Sequence, residues 1–230
     1  METHRYGQFC PVALAAEVFC SRWTALIVRE LLCGSTRFND LRRGVPRVSP
    51  TLLSKRLKEL ELAGIIESKP GPSGVSEYVL TEAGEDLRPV VLGLGTWGAR
   101  WTETSLSLRN LDPTLLMLDM QRCIEVRLFP QRRCAVQFHF PERRDGEQFR
   151  WLVVEAGIAD VCNKDPGFEV DLYVECALKT MTAIWMGFTS VRQEIDSGEL
   201  DLNGDRFLAE TMQQWLGLSK FAGEKKRVAA

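Results

Sequence analysis

Residues 49–66 read SPTLLSKRLKELELAGII, and this stretch decides the fold of the N-terminal half of the chain. Ser49 followed by Pro50 indicates a helix start, because a serine oxygen can cap free backbone N–H groups and proline is preformed for the first helical turn. Gly64 is a typical helix stop. Apolar side chains recur at helical spacing between these signals and predict a buried stripe. They are Leu53, Leu57 and Leu60.

The opposite face of this predicted helix carries hydroxyl and ammonium groups without a carboxylate. Its members are Thr51, Ser54, Lys55 and Lys58. Hydroxyls suit phosphates or base edges, and lysines suit phosphates or guanine acceptors. A shorter helix, predicted from a Thr36 cap to Arg43, precedes it across a turn. This is the helix-turn-helix layout, whose second helix enters the major groove. The plainer interpretation is a solvated helix face.

Positive charge is concentrated around this helix pair. Residues 36–58 hold seven basic residues and one acidic residue, Asp40, although the whole chain has a net charge of −2. Two strand-like runs around a Pro/Gly turn follow, with Lys69 and Ser73 near the turn. The pattern predicts a wing that lies along the DNA backbone or in the minor groove. Local charge of one sign favours a polyanionic partner.

A last helix of this half is predicted over 82–102, with Thr81 as its cap. It contains GLGTWG at 93–98, which fits the spacing of a dinucleotide-binding loop. No strand precedes it, so such a site is not expected. The glycines instead favour close helix packing at a dimer interface, with Trp97 and Trp101 in the interface core.

These motifs closely resemble the HxlR family of bacterial winged-helix regulators. The shared blocks are Cys10-Pro11, RWT at 22–24, RELL at 29–32, RFNDLRR at 37–43, SPTLLSKRLKELELAGII at 49–66 and YVLTEAG at 78–84. The resemblance implies a homodimer joined by its first and last helices. Such a dimer reads an inverted repeat with half-sites about 34 Å apart.

The resemblance also implies which side chains meet double-stranded DNA. Those facing the groove would be Ser49, Thr51, Ser54, Lys55 and Lys58. Those contacting phosphates would be Arg37, Arg42, Arg43 and Arg47. Lys69 and Ser73 join them through the predicted wing.

The second half of the chain alternates strand-like and helical segments. The runs CIEVRLF, CAVQFHF, FRWLVVEAG and FEVDLYVEC predict antiparallel strands, and GELDLNGD a further strand. Helices are expected near 113–120 and over 177–196 and 205–216. Residues 168–221 resemble the sterol-carrier-protein-like fold through FEVDLYVECALKTMTAIWMGFTSVRQEIDSGELDLNGD.

The predicted fold class is therefore α+β. A winged helix-turn-helix DNA-binding and dimerisation domain is expected over 1–104. A sterol-carrier-like domain, an antiparallel sheet plus helices, is expected over 110–222, and a disordered tail over 223–230. The second resemblance implies an apolar ligand held between sheet and helices. Our hypothesis is that such a ligand acts on the first domain through residues 103–111.

Aromatic and methionine side chains of the second half are candidates for lining an effector pocket, since ligand pockets are mostly apolar. They are Tyr173, Met181, Trp185, Met186, Phe188, Phe207, Met212 and Trp215. The same side chains could instead fill a packed core. The second domain would then be a dimer scaffold or a surface for a partner.

The function predicted is that of a transcriptional regulator controlled by an apolar small molecule. One alternative is a thiol-based sensor acting through Cys10, which precedes Pro11 at a helix start, where the helix dipole can raise thiol reactivity. A buried, inert cysteine is the plainer interpretation of Cys10. Another alternative is a carrier of an apolar ligand without a DNA role.

Several function classes find no support in the sequence. The seven cysteines form no CxxC pair, and two histidines cannot build a His-rich centre, so no metal, cofactor or disulfide framework is expected. GxSxG and P-loop motifs are absent, so we expect no enzyme. No apolar run reaches the roughly 18–20 residues of a membrane span, and the N-terminus lacks a basic signal-peptide region. We expect a cytoplasmic protein without a membrane partner.

Overall fold

The computed structural model describes residues 6–71, 74–103, 108, 111–144 and 146–227. The chain divides into two compact units, which meet in sequence between Gly95 and Thr96. Both contain helices and a sheet, and the first has the winged helix-turn-helix arrangement. The fold is therefore mixed α+β, as predicted. The predicted domain limits stay predictions.

The N-terminal unit places helices before and after a two-stranded antiparallel wing. The first helices are α1 (Pro11–Phe19), α2 (Thr24–Leu32), α3 (Phe38–Gly44) and α4 (Pro50–Leu62). The wing strands are β1 (Ile66–Pro70) and β2 (Ser76–Leu80), and the last helices are α5 (Glu82–Glu85) and α6 (Arg88–Trp101), whose residues from Thr96 onward belong to the second unit. The unit's core forms where the leucine stripe of α4 meets Ile27 and Val28 of α2 and Leu41 of α3.

The predicted start of α4 is confirmed. The Ser49 Oγ accepts a hydrogen bond from the Leu52 N–H at 3.3 Å, and Pro50 occupies the first turn. Gly64 follows the helix with φ of +71°, a left-handed conformation that glycine adopts without strain. The leucines at 53, 57 and 60 are all buried.

Two predictions about the neighbouring helices are wrong in detail. Thr36 does not cap α3: the cap position is Arg37, and the Thr36 carbonyl accepts from the Tyr78 N–H at 2.7 Å. The segment before α3 is therefore held by the wing. Thr81 does cap the next helix, through the Gly84 N–H at 3.2 Å, but the predicted 82–102 helix is broken between α5 and α6.

The C-terminal unit builds a five-stranded sheet with helices packed on one face. Its strands are β3 (Cys134–His139), β4 (Phe149–Glu155), β5 (Ile158–Cys162), β6 (Leu172–Cys176) and β7 (Leu200–Gly204), in the order β5-β4-β3-β6-β7. Its helices are α7 (Pro113–Gln121), a 3-10 turn (Val126–Leu128), α8 (Leu178–Trp185), α9 (Val191–Asp196), α10 (Arg206–Glu210) and α11 (Met212–Trp215).

The structure corrects the predicted sheet at three places. CIEVRLF forms the 3-10 turn rather than a strand. A strand absent from the prediction, β5, follows β4 through a tight turn at Ala156 and Gly157, whose φ values are +50° and +76°. The β3–β6 pair is parallel, so the sheet is mixed and not wholly antiparallel. β5 runs in the same direction as β3, so the connection 163–171 brings the chain back to begin β6 parallel to β3.

The two long helices predicted in this unit are broken. The 177–196 helix ends at Trp185, because Gly187 turns the backbone with φ of +73° against Ala222, and α9 restarts after the Ser190 cap. The 205–216 helix breaks at Thr211 into α10 and α11. Within the ranges that the structure describes, no single helix is long and apolar enough to cross a membrane; α1 and α2 together would be, but they are bent by 82°.

Disorder is predicted from residue 223, and the structure describes this tail as far as residue 227. The Glu224 carboxylate lies 2.6 Å from the Arg100 guanidinium, and the Lys226 ammonium donates to the Thr102 carbonyl at 2.7 Å. Residues 228–230 lie outside the described part of the chain.

Candidate nucleic-acid interface

The outer face of α4 presents the polar stripe expected from the sequence. Burial of the three leucines turns the other side of the helix to solvent, and every member of the stripe is exposed: Thr51, Ser54, Lys55 and Lys58. The Lys55 ammonium lies 3.9 Å from the Glu59 carboxylate, one turn along the helix. An exposed pair at this distance contributes at most about 0.5 kcal/mol, so it leaves Lys55 available to an anion.

Arginines surround this stripe on the loops and on α3. Arg42 and Arg47 are exposed. The Arg37 guanidinium lies 3.1 Å from Glu77 of the wing, and Arg43 pairs with Asp40 on its own helix. Exposed pairs of this kind are weak, so a phosphate can replace either carboxylate at small cost.

The two wing strands pair in a regular antiparallel register, in which Lys69 faces Glu77. Lys69 is exposed and its ammonium lies 2.6 Å from Glu67. Ser73, the other predicted wing contact, lies outside the described residues. The wing is tied to the helix pair through a backbone bridge between Arg37 and Glu77.

A buried carboxylate that the sequence analysis missed positions α3 relative to α2. Glu30 has no exposed surface, and the Arg29 guanidinium donates to its Oε1 at 2.6 Å. A Cβ added at Gly44 would overlap the Glu30 carboxylate, so a larger residue there would force this buried group to move. The available signal was a glutamate inside the apolar run TALIVRELL.

Apolar side chains are left exposed on α6 and around α1. Within the described chain α6 buries no residue, and Trp97 and Trp101 are 61% and 46% exposed. They therefore form no core within a single chain. Phe9 and Val12, at the start of α1, are 98% and 75% exposed. A Cβ added at Gly93 or Gly98 meets nothing within 4 Å.

None of the seven cysteines, all of which lie in the described ranges, forms a disulfide. Cys10 is partly exposed at the cap position of α1, and its side chain makes no capping hydrogen bond. Burial raises the pKa of the Cys134 and Cys162 thiols, and that of Cys176 to about 12, so these three stay protonated near neutral pH. No cluster of three metal-ligating side chains occurs in the described ranges.

The structure does not gather the eight predicted pocket residues into one lining. Met181, Met212 and Trp215 are fully buried core residues, and the Trp215 indole N–H donates to the Leu208 carbonyl at 2.7 Å. Three others are exposed: Tyr173, Phe188 and Phe207. Trp185 and Met186 are partly buried. Tyr173 lies on the sheet face opposite the core, because its neighbours in β6 point inward.

Comparison with known proteins places the N-terminal unit among bacterial and archaeal regulators. Residues 18–106 match the family model described as HxlR-like helix-turn-helix. The uncharacterized HTH-type transcriptional regulator YvaP of Bacillus subtilis is 38% identical over 102 residues, which are 43% of this chain and 94% of that protein. An uncharacterized HTH-type regulator of Methanothermobacter thermautotrophicus is 32% identical over 91 residues, 39% of this chain and 70% of that protein.

Solved structures similar to the chain cover the same share of it. PA1607, titled a putative transcription factor, has 33% identity, covers 40% of this chain and 65% of its own, and gives a TM-score of 0.38. The reduced form of the redox regulator HypR has 34% identity, covers 39% of this chain and 90% of its own, and gives a TM-score of 0.36.

Proposed function

The chain belongs to the HxlR-like helix-turn-helix family, and from this premise we propose that it is a dimeric transcriptional regulator whose α4 enters the major groove of DNA. One observation carries the proposal. The hydroxyls and ammonium groups of α4 share one exposed face, opposite a fully buried leucine stripe. The family relationship supports regulation of transcription rather than catalysis.

The proposed DNA contacts follow from that face. Ser49, Thr51, Ser54, Lys55 and Lys58 meet the groove. Arg42 and Arg47 contact phosphates, and Arg37 and Arg43 do so by exchanging Glu77 and Asp40 for phosphate. Lys69 and Ser73 act from the wing. Such contacts to phosphate release counterions, so binding weakens steeply as salt rises.

The proposed dimer uses α1 and α6. The exposed tryptophans of α6 and the exposed aliphatic side chains of both helices are the apolar groups that a second copy would cover. A two-fold dimer would then read two half-sites about 34 Å apart in an inverted repeat. We place the protein in the cytoplasm, where its DNA target lies.

Control by a small molecule bound in the C-terminal unit completes the proposal. Such a ligand changes DNA affinity only if it binds one conformation of the dimer better than another. Coupling is proposed to run through residues 103–111, of which 104–107 and 109–110 lie outside the described residues. A thiol trigger at Cys10, and a carrier without a DNA role, stay alternatives.

The test is a double substitution, Lys55→Ala with Lys58→Ala, titrated by fluorescence anisotropy against a duplex selected from a random library. We expect weaker binding and a salt dependence whose slope falls by about one for each lysine. The matched control is Lys164→Ala with Lys179→Ala, which removes the same charge from exposed positions of the C-terminal unit. Unchanged affinity and slope in the α4 variant would exclude this placement of the DNA.

A further inference from the structure

The C-terminal sheet has a second face that its helices do not use. Alternate side chains of the strands join the helical core, as Leu172, Val174 and Cys176 of β6 do, so the remaining ones share the opposite face. That face combines rings with carboxylates. The rings include Phe149, Trp151 and Tyr173, and the carboxylates include Glu155, Asp160, Glu175 and Asp201. Carboxylates repel a polyanion, so this face is not a second nucleic-acid surface.

A cleft of about 430 Å³ lies at the β4–β5 end of this face. Its apolar surface comes from Val153, Ile158 and Phe168, and its acidic groups are Glu155 and Asp160. Ile158 and Phe168 are exposed in the cleft, 69% and 38% respectively. The cleft thus offers an apolar surface beside two negative charges.

The guanidinium group of Arg133 already interacts with two residues that line the cleft. The Arg133 guanidinium carbon lies 4.1 Å from the centroid of the Phe168 ring. One of its nitrogens donates to the Glu155 carboxylate at 2.8 Å. A cation above an aromatic face is attracted by the ring quadrupole, and a carboxylate beside it adds to that attraction. The pair Phe168 and Glu155 therefore has the geometry of a cation site.

The second carboxylate of the cleft, Asp160, has no cationic partner among the described residues. Asp160 is exposed, its Oδ1 accepts only from the backbone N–H of Val161 at 2.9 Å, and no Lys or Arg of the described residues lies within ion-pair distance of it. Arg133 neutralises one of the two charges, so the cleft keeps a net negative charge.

The turn that forms one wall of the cleft is held in an uncommon conformation. Ala156 has a φ of +50°, in the left-handed region that a residue with a Cβ occupies at a cost of about 1 kcal/mol or more. Gly157 follows with φ of +76°. The two residues fix the tight connection that sets β5, with Ile158 and Asp160, beside β4.

We propose that this cleft binds an organic cation with an apolar body, such as an aryl phosphonium or a quaternary ammonium compound. The cation would lie against Phe168 and Ile158, and its charge would face Asp160 and Glu155. The ligand would compete with Arg133 for the Phe168 ring. Binding itself requires no DNA; that the cation is the effector of a regulator rests on the proposed function.

The experiment is calorimetric titration of the full-length protein, without DNA, using tetraphenylphosphonium. Tetraphenylborate, of similar size and opposite charge, is the comparison ligand. We expect binding of the phosphonium and none of the borate. The double variant Glu155→Gln with Asp160→Asn is expected to weaken binding about five-fold, which corresponds to about 1 kcal/mol for the two lost charge contacts together.

Three single variants sharpen this test. Phe168→Leu keeps an apolar side chain but removes the ring, and is expected to weaken binding about three-fold or more. Arg133→Gln removes the competing guanidinium and is expected to tighten it. Asp201→Asn, on β7 at the far edge of the same face, is expected to change nothing.

Equal binding of both ions, or phosphonium affinity unaffected by the double variant, would overturn the proposal. Loss of phosphonium binding in Arg133→Gln would also contradict it. Circular dichroism of each variant separates loss of folding from loss of the site. Because no DNA is present, failure here leaves the DNA titration of α4 untouched, and failure of that titration leaves the cation site untouched.

Discussion

At the scale of single residues, Glu30 and Gly44 show how a buried charge sets the angle between two helices. Glu30 is enclosed between α2 and α3, and Gly44 leaves just enough space for its carboxylate. Burying a charge is costly unless it is paired, and the Arg29 guanidinium supplies the partner. The α3 arginines proposed to contact phosphate depend on this packing.

Gly44→Ala is therefore expected to destabilise the protein by about 1–3 kcal/mol, the usual cost of overpacking a core. Helix propensity alone would favour alanine by up to about 1 kcal/mol, so a net loss shows that the clash with Glu30 dominates. The change in the free energy of unfolding is measured by urea denaturation, monitored by circular dichroism. Asn39→Ala, on the exposed side of the same helix, is the control and should change stability by less than about 0.5 kcal/mol. A more stable Gly44→Ala variant would contradict this account.

At the scale of elements, α6 is an apolar helix none of whose residues is buried in the described chain. Gly93 and Gly98 lie on it with open space around each. Glycine inside an exposed helix costs about 0.5–1 kcal/mol relative to alanine. Close approach of a second helix, which the proposed dimer provides, is a physical reason to keep them.

The double substitution Gly93→Ala with Gly98→Ala tests whether these glycines allow close packing of α6 against a second copy. If α6 packs against a second copy, the added methyl groups should weaken dimerisation at least about ten-fold, which corresponds to about 1.4 kcal/mol. Sedimentation velocity over a concentration series measures the change. Gly223→Ala, another glycine with nothing near its Cβ position, is the control. A variant with higher thermal stability and an unchanged dimer would place the interface elsewhere.

At the scale of the whole molecule, the two proposals together require linkage between DNA and cation. If the phosphonium prefers a dimer conformation that binds DNA poorly, it must weaken DNA binding by the same factor by which DNA weakens phosphonium binding. Couplings of this kind usually span about 5- to 150-fold. Anisotropy titrations with saturating phosphonium, and calorimetry with saturating duplex, give the two factors independently.

The double variant Glu155→Gln with Asp160→Asn is the control for that linkage. Its DNA affinity should be that of the wild type and should no longer respond to phosphonium. Identical DNA affinity of the wild type with and without saturating phosphonium would show that the two units act separately.

The sequence by itself determined the elements whose signals lie within a turn or two of chain. The Ser49 cap, Pro50 and the leucine stripe define α4, because capping and helical periodicity are local properties. Capping is a local property at Thr81 as well, so the sequence predicted this cap correctly. The motifs of the N-terminal half were specific enough to indicate the family.

Only the tertiary structure decided features that depend on contacts between distant segments. Thr36 does not cap α3, because its position is fixed by the wing: the Tyr78 N–H donates to the Thr36 carbonyl. The parallel β3–β6 pairing depends on the connection 163–171, which returns the chain from the end of β5 to the start of β6. Composition alone could not separate core from surface among the aromatic residues: Trp215 is enclosed, whereas Tyr173 lies on the other side of the sheet, because strand register assigns each side chain to a face.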